Sequence, residues 1–314
     1  MTDETFSLRV LYDRLRDYDG KSVYDEVVLP STARAKARVG RLQPYGTLLG
    51  MPRGYEVEDN PDQRLWEDLW ALYALSRIND YFLVSYQIAD SFYPATPAQG
   101  DEWRGWMAGG GAYFLVNGIV NTVSSEQHLD FFTNLGFTPF GRDAYSPFFY
   151  EIVEVEVDEA VTNSIQVDHV YWPGFMFGDM LFARAGVRVR CKPGLLTKSI
   201  AEDSVLYFTY WRNRRKVADL AHGWGHNSQW RTEFRRDYLA DGWFHYNVDA
   251  KRAVSDDNGL SPNSHDDDLD DLTENERVEL LVNRCFVTCT KSDEDRWPYD
   301  DRYSEKRDDT FASP

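Results

Sequence analysis

The sequence is short of the features that would assign it to the secreted or membrane classes of protein. Three cysteines in 314 residues cannot make an even disulfide framework, which fits a reducing compartment. No apolar run approaches the roughly eighteen residues that cross a bilayer, so we expect no membrane-spanning helix. Residues 1–4 include two acidic side chains, whereas a secretory signal begins basic and then turns apolar. These absences predict a soluble, cytoplasmic protein.

Positive charge is also scarce. The chain has 34 lysines and arginines against 52 aspartates and glutamates, which gives a formal net charge of −18. Residues 251–314 hold 9 of the basic and 18 of the acidic residues, so half of the excess lies in that part of the chain. A negative field disfavours nucleic acid as a ligand. It leaves two kinds of partner open: a basic protein that meets the acidic end, and an anionic small molecule that meets a local basic island over 212–236.

Helical spacing of apolar residues dominates the first half of the chain. It predicts a helix over 5–18, a long and largely buried helix over 62–87, and a short helix over 126–135 that begins at a serine cap and ends at a glycine. The intervening segment over 21–58 is broken by prolines and glycines and predicts mostly loop. Its valine-rich part, 23–29, is the best candidate for a short strand there.

After residue 147 the apolar residues recur at every second position, which is typical of strands with one buried face. One such strand, 153–158, carries acidic side chains on its polar face, and another, 187–192, carries basic ones. Because opposite charges across a strand pair are favourable, we expect these two strands to lie side by side. Residues 204–212 predict a third strand, and 232–248 predict a hairpin whose tight turn contains Asp-Gly.

The order of these elements, helices first and strands second, predicts the fold class. We expect an α+β fold in which a helical N-terminal half packs on a mainly antiparallel β-sheet from about residue 148 to 249, with a C-terminal helix in addition. Residues 1–250 then form a single α+β body, helical over 1–136 and β-rich over 147–250.

The last part of the chain has a different character. Residues 251–272 contain seven aspartates and few apolar side chains, so they predict an acidic flexible linker or loop. Thr273 and Glu276 then have the spacing of a capping box, which predicts the C-terminal helix. We expect residues 273–314 to dock this helix and a charged tail on the body.

The densest group of titratable and aromatic side chains lies in residues 221–249, which include the predicted hairpin. It contains three of the six histidines, His222, His226 and His245, which are candidates for catalytic bases and for metal ligands. Glycines on both sides of Trp224 exclude the helix that would place His222 and His226 on one face, so the zinc-protease motif is absent. The alternative, that these histidines form hydrogen bonds within an aromatic-rich turn, stays open, and the sequence does not identify a cofactor.

Four residues of the same stretch are candidate ligand-binding groups: Trp224, Trp230, Arg231 and Trp243. An arginine fork matches phosphate or carboxylate, and indole rings can stack on a base or a sugar. Since side chains alternate along a strand, at most one of Arg235 and Arg236 joins Arg231 on the site side. The alternative for all of these arginines is ion pairing with the surplus carboxylates of the chain itself.

Two classes of function follow from this sequence and remain open. The first is a non-catalytic binding or interaction protein with a pocket around residues 221–249. The second is a hydrolase or another enzyme that acts on an anionic small molecule, with or without a metal ion. No complete serine-hydrolase, dinucleotide-binding, kinase or calcium-loop motif is present, which favours the first class.

Overall fold

The structure is a computed structural model that describes residues 6–48, 63–89, 123–140, 144–161, 164–203, 235–256, 272–290, 298 and 300–307. Its α-helices are α1 (Leu8–Arg16), α2 (Leu29–Gly40), α3 (Gln63–Ala89), α4 (Ser125–Leu135), α5 (Lys198–Asp203) and α6 (Glu274–Asn283). Its strands are β1 (Thr138–Phe140), β2 (Tyr150–Val157), β3 (Gln166–Trp172), β4 (Gly174–Phe177), β5 (Met180–Ala183), β6 (Ala185–Cys191), β7 (Asp237–Ala240), β8 (Trp243–Tyr246), β9 (Arg252–Ala253) and β10 (Asp301–Lys306).

The described strands form two sheets. A seven-stranded sheet has the order β1-β4-β5-β7-β8-β10-β9, and its pairs are antiparallel except for β9 and β10. A three-stranded sheet has the order β2-β6-β3, in which β2 and β6 are parallel. The predicted α+β fold, with a mainly antiparallel sheet and a C-terminal helix, is therefore confirmed.

Alternation along β4 shows how the layers are arranged. Phe175 and Phe177 pack into a core that they share with buried residues of α1 to α4. Met176, which lies between them and points to the other face of the sheet, packs into a second core with β2 and β6. The seven-stranded sheet thus lies between a helical layer and the three-stranded sheet, and each of its faces buries apolar side chains.

Capping residues set the ends of the helices where the sequence predicts them. At α4 the Ser124 hydroxyl accepts the Gln127 backbone N–H, and the Gln127 side chain accepts the Ser124 N–H. The helix ends at Gly136, whose φ of 97° lies in the left-handed region that glycine tolerates. Thr273 and Glu276 form the same reciprocal pair at α6. The three N-terminal helices and the C-terminal helix predicted from the sequence are therefore confirmed.

The strand predicted over 23–29 is wrong. Tyr24–Val28 form a short π-helix that runs directly into α2. Val23 and Val27, four residues apart, are both buried in the helical core. Their spacing suits one side of a helical turn, so burial among helices overrides the strand preference of valine. Residues 204–212, predicted as another strand, lie outside the described residues.

The acidic and basic strands lie side by side, as predicted. They are β2 and β6, and their parallel register pairs Glu154 with Arg188 and Glu156 with Arg190. The Arg190 guanidinium lies 3.3 Å from the Glu156 carboxylate. Asp168 on β3 adds a second carboxylate, which ion-pairs with both arginines. These side chains are partly exposed, so each pair contributes only about 0–1 kcal/mol to stability.

The charged tail contains a strand that the sequence did not predict. β10 lies between β8 and β9 in the larger sheet. Its first residue, Asp301, is fully buried and accepts hydrogen bonds from Arg252 at 2.5 Å and from Arg277 at 2.8 Å. Of the predicted acidic linker, residues 257–271 lie outside the described residues, while the preceding part includes β9. Among the described helices, none combines the length and the apolar character needed to cross a membrane.

Candidate functional site

Five of the seven candidate residues predicted from the sequence lie outside the described residues: His222, Trp224, His226, Trp230 and Arg231. The other two, Trp243 and His245, lie on β8. Strand alternation places both on the more exposed face, where Trp243 is 42% exposed and His245 is half-buried, while their neighbours on β8 are buried. The loop of the predicted pocket around 221–249 therefore lies outside the described residues, and the pocket remains a prediction.

The hairpin that carries these two residues has the predicted tight turn. Ala240 pairs with Trp243, so the loop is the two-residue segment Asp241-Gly242. Both loop residues have positive φ, 51° and 76°, which is the geometry that matches the twist of a two-residue hairpin. The strands are shorter than predicted on the first side, where β7 begins at Asp237.

His245 is held by the neighbouring strand. Its Nδ1 lies 3.0 Å from the Ser304 hydroxyl on β10. Partial burial lowers the pKa of His245, so its imidazole is neutral at pH 7. Within the described ranges, no group of three histidine, cysteine or acidic side chains is arranged to hold a metal ion. The predicted roles of His222, His226 and His245 as metal ligands or catalytic bases remain predictions.

Neither Arg235 nor Arg236 is available to a ligand site, because both are buried and paired within the protein. The Arg236 guanidinium donates to the Asp249 carboxylate at 2.5 Å and to the Tyr238 hydroxyl at 3.4 Å. The Arg235 guanidinium donates to Asp237 at 3.1 Å. The surplus carboxylates of the chain therefore account for these two arginines, as in the alternative interpretation.

Asp237 is the centre of a buried arginine–aspartate cluster formed with Arg184, Arg235 and Arg284. Its carboxylate lies 3.1 Å from Arg235, 3.5 Å from Arg284 and 3.7 Å from Arg184, and it accepts the Asn247 N–H at 2.7 Å. Burial alone would raise the pKa of Asp237, but the three arginines outweigh it and hold the pKa below its ordinary value. The carboxylate is thus ionised in the folded protein.

The same cluster holds the end of α6. Arg235 donates to the Leu281 carbonyl and Arg184 donates to the Val282 carbonyl, each at 3.0 Å. These carbonyls lie in the last turn of α6, where the helix dipole is negative and backbone acceptors have no partner within the helix. The excess of guanidinium over carboxylate therefore has a structural use, which is to join α6 to the sheet.

A groove of about 1180 Å³ opens elsewhere, between the start of α1, the end of α2 and the first turns of α3. We call it the arginine groove, because four arginines line it: Arg9, Arg38, Arg41 and Arg64. Two carboxylates, those of Glu67 and Asp68, and the indole of Trp70 complete its polar and aromatic lining. In a chain with a net charge of −18, this lining has an excess of positive charge.

The arginines of the groove differ in how far they are already engaged. The Arg38 guanidinium donates to the Asp68 carboxylate at 2.5 Å, which joins α2 to α3. Arg9 donates to Asp13 on its own helix at 2.9 Å. Arg41, the C-terminal cap of α2, is exposed and makes no ion pair with any described residue. The groove thus combines a cation fixed in place by a carboxylate with one that is available to a ligand.

Two further features shape the groove. Ser7 caps α1 by accepting the Val10 N–H at 3.1 Å, and the first turn of α1 carries no acidic residue. The positive end of that helix dipole therefore adds to the potential of the groove, which Ser7 and Leu8 also line. Trp70 is 38% exposed, and its ring is set edge-on to Tyr73, with centroids 5.6 Å apart.

Comparison with family models, curated proteins and solved structures finds no match. The arginine groove has the chemistry of an anion site, because guanidinium groups can bind phosphate or carboxylate and an indole can stack on a flat ring.

The arginine groove cannot be predicted from the sequence, because its residues come from three separate helical segments of the chain. The arginines look like ordinary helix-surface residues when each helix is considered alone. One signal was available at Trp70. It falls outside the apolar series of α3 and places a large aromatic ring on the exposed side of the first turns of that helix.

Proposed function

We propose that this protein binds an anionic small molecule in the arginine groove and acts as a binding protein. The observation that supports the proposal is the concentration of four arginines on one concave surface of a strongly acidic chain. Planar guanidinium groups donate two parallel hydrogen bonds to phosphate or carboxylate, and such charge-assisted bonds are about twice as strong as neutral ones.

The arrangement of the arginines fits this role. Asp68 orients Arg38, so little side-chain entropy is lost when that arginine meets a ligand. Arg41 supplies charge that is not neutralised by any described carboxylate. The overall negative field repels extended polyanions such as nucleic acids, so a small anion that enters the groove suits the charge distribution better.

A binding role is favoured over an enzymatic one by the chemistry of the groove. Neither histidine nor cysteine belongs to its described lining, and the Ser7 hydroxyl is engaged as a helix cap. The pocket predicted around residues 221–249 and a basic protein partner for the acidic part of the chain remain separate predictions.

Isothermal titration with inorganic pyrophosphate tests the proposal, with Arg41→Ala as the groove variant and Arg14→Ala as the matched control. Arg14 is an exposed arginine of α1 outside the arginine groove. Loss of a charge-assisted hydrogen bond costs about 1.5–3 kcal/mol, so Arg41→Ala should weaken binding by roughly 10- to 100-fold. Arg14→Ala should leave it within about two-fold. Absence of pyrophosphate binding, or equal effects of the two variants, would contradict the proposal.

A further inference from the structure

The arginine groove contains two groups that a simple inorganic anion would not use. One is the Trp70 indole, which is partly exposed although its apolar surface favours burial. The other is the Glu67 carboxylate, which forms no ion pair or hydrogen bond with any described residue. A carboxylate repels an anion, but it accepts hydrogen bonds from hydroxyl groups. The ligand that fits this lining therefore has hydroxyls and a flat ring as well as negative charge.

Three side chains of α3 that line the groove follow one another at a spacing of about one helical turn. Arg64, Glu67 and Trp70 all line the groove at intervals of three residues. Trp70 comes six positions after Arg64, which corresponds to a rise of about 9 Å along the helix axis. Cation, carboxylate and ring thus follow one another in the order phosphate, sugar and base, at a separation that a sugar can bridge.

The volume of the groove also suits a ligand that is larger than a single inorganic anion. Its volume of about 1180 Å³ slightly exceeds the roughly 300–1,000 Å³ of typical small-molecule sites. A single phosphate ion would leave most of that space to water. A molecule with a base, a sugar and phosphate groups fills more of it and reaches both the arginines and Trp70.

We infer that the ligand of the arginine groove is a nucleotide. Its phosphates are bound by Arg41 and the neighbouring arginines, its sugar hydroxyls donate to Glu67, and its base stacks on Trp70. This inference rests on the proposed function, because it names the class of anion that the groove binds. It adds an aromatic contact and a hydroxyl contact that anion binding by itself does not require.

The test compares four kinds of ligand by isothermal titration: pyrophosphate, ribose 5-diphosphate, a set of nucleoside diphosphates (ADP, GDP and UDP), and the matching nucleosides without phosphate. Ribose 5-diphosphate differs from these nucleotides only by the missing base. At least one nucleoside diphosphate should therefore bind about ten-fold or more tightly than ribose 5-diphosphate, the range expected for one base–aromatic stack. Trp70→Ala should remove that difference and leave pyrophosphate binding unchanged. Trp70→Phe, which keeps a ring, should restore most of it. Leu129→Ala serves as the control, since Leu129 is an exposed apolar residue of α4 that does not line the groove.

The outcomes separate the two proposals. If pyrophosphate binds and depends on Arg41, but no nucleoside diphosphate binds more tightly than ribose 5-diphosphate, the nucleotide inference is overturned and the anion-binding function stands. If Trp70→Ala weakens the binding of pyrophosphate and of nucleoside diphosphates equally, the inference is also overturned. The ring would then stabilise the structure of the groove and not contact the base. If pyrophosphate itself does not bind, both proposals fail.

Discussion

Replacing Asp237 by asparagine should destabilise the protein strongly while preserving the shape of the side chain. Asp237 is the carboxylate at the centre of the arginine–aspartate cluster, within 3.7 Å of Arg184, Arg235 and Arg284. All four side chains are almost completely buried. Asp237→Asn removes the negative charge and leaves three guanidinium groups around a neutral amide, away from water that could solvate them.

The expected loss is large relative to the stability of a whole domain. Removing one partner of a buried ion pair typically costs about 3–5 kcal/mol, and natural domains are stable by only about 5–15 kcal/mol. We therefore expect Asp237→Asn to fold, with a free energy of unfolding lower by about 3–5 kcal/mol. The C-terminal helix should loosen first, because Arg184 and Arg235 also hold its last carbonyls.

Urea unfolding at pH 7, monitored by circular dichroism, measures this loss. Asp241→Asn is the matched control, since Asp241 is an exposed residue in the turn of the same hairpin and asparagine tolerates its positive φ. The control should change the free energy of unfolding by no more than about 0.5 kcal/mol. Hydrogen exchange should show that Asp237→Asn accelerates amide exchange in α6 more than it does in α4.

The pH dependence provides a second measurement. The folded pKa of Asp237 lies below its value in the unfolded chain, so the carboxylate stabilises the fold above about pH 4. That contribution is lost as the pH falls through the lower, folded pKa. The difference in free energy of unfolding between the natural protein and Asp237→Asn should therefore stay constant from pH 7 to about pH 5 and shrink only below about pH 4. A difference under 1 kcal/mol at pH 7, or one that disappears between pH 7 and 5, would refute an ionised Asp237.

Two further predictions concern α4 and its surroundings. His128 is fully buried, lies 2.8 Å from the Asn79 side chain, and has its pKa lowered by burial to about 3. The unfolded pKa is about 6.5, so this contribution to stability should be full above that pH and fall towards pH 3 by about 1.4 kcal/mol per pH unit. His128→Gln should reduce this slope in urea unfolding at pH 6, 5 and 4, whereas the control Thr133→Ala, an exposed change on the same helix, should not. Equal slopes in all three proteins would contradict the assignment. Ser124→Ala should lower the unfolding free energy by about 1 kcal/mol through loss of the α4 cap; Ser125→Ala, one residue later, is the control, and an equal loss in both would exclude the cap as the cause.

The parts of the fold that follow from local chemistry could be predicted from the sequence. Caps and apolar spacing gave α1, α3, α4 and α6, because each signal lies within a few residues of its effect. The β2–β6 pair was predictable because its charges alternate with buried side chains along both strands. The turn at Asp241-Gly242 was predictable because few other pairs of residues accept two positive φ angles.

Features that depend on distant residues could not be predicted in this way. β10 has the sequence of a solvated tail, and Asp301 is buried only because Arg252 and Arg277 approach it from other parts of the fold. The sequence left open whether Arg236 binds a ligand or a carboxylate of the chain itself, because its partner Asp249 lies across the hairpin. The arginine groove exists only after three helices meet, so no single stretch of the sequence contains it.

The position of β10 also has a consequence for how the chain folds during synthesis. β8 pairs with β7 on one side, but its other neighbour consists of residues 301–306, which the ribosome makes last among the described strands. At roughly 5–20 residues per second, the intervening fifty or so residues leave the edge of β8 uncovered for several seconds. An uncovered edge can pair with a strand of another nascent chain, and such pairing leads to aggregation. The yield of folded protein therefore depends on keeping that edge apart from other chains until β10 has been made.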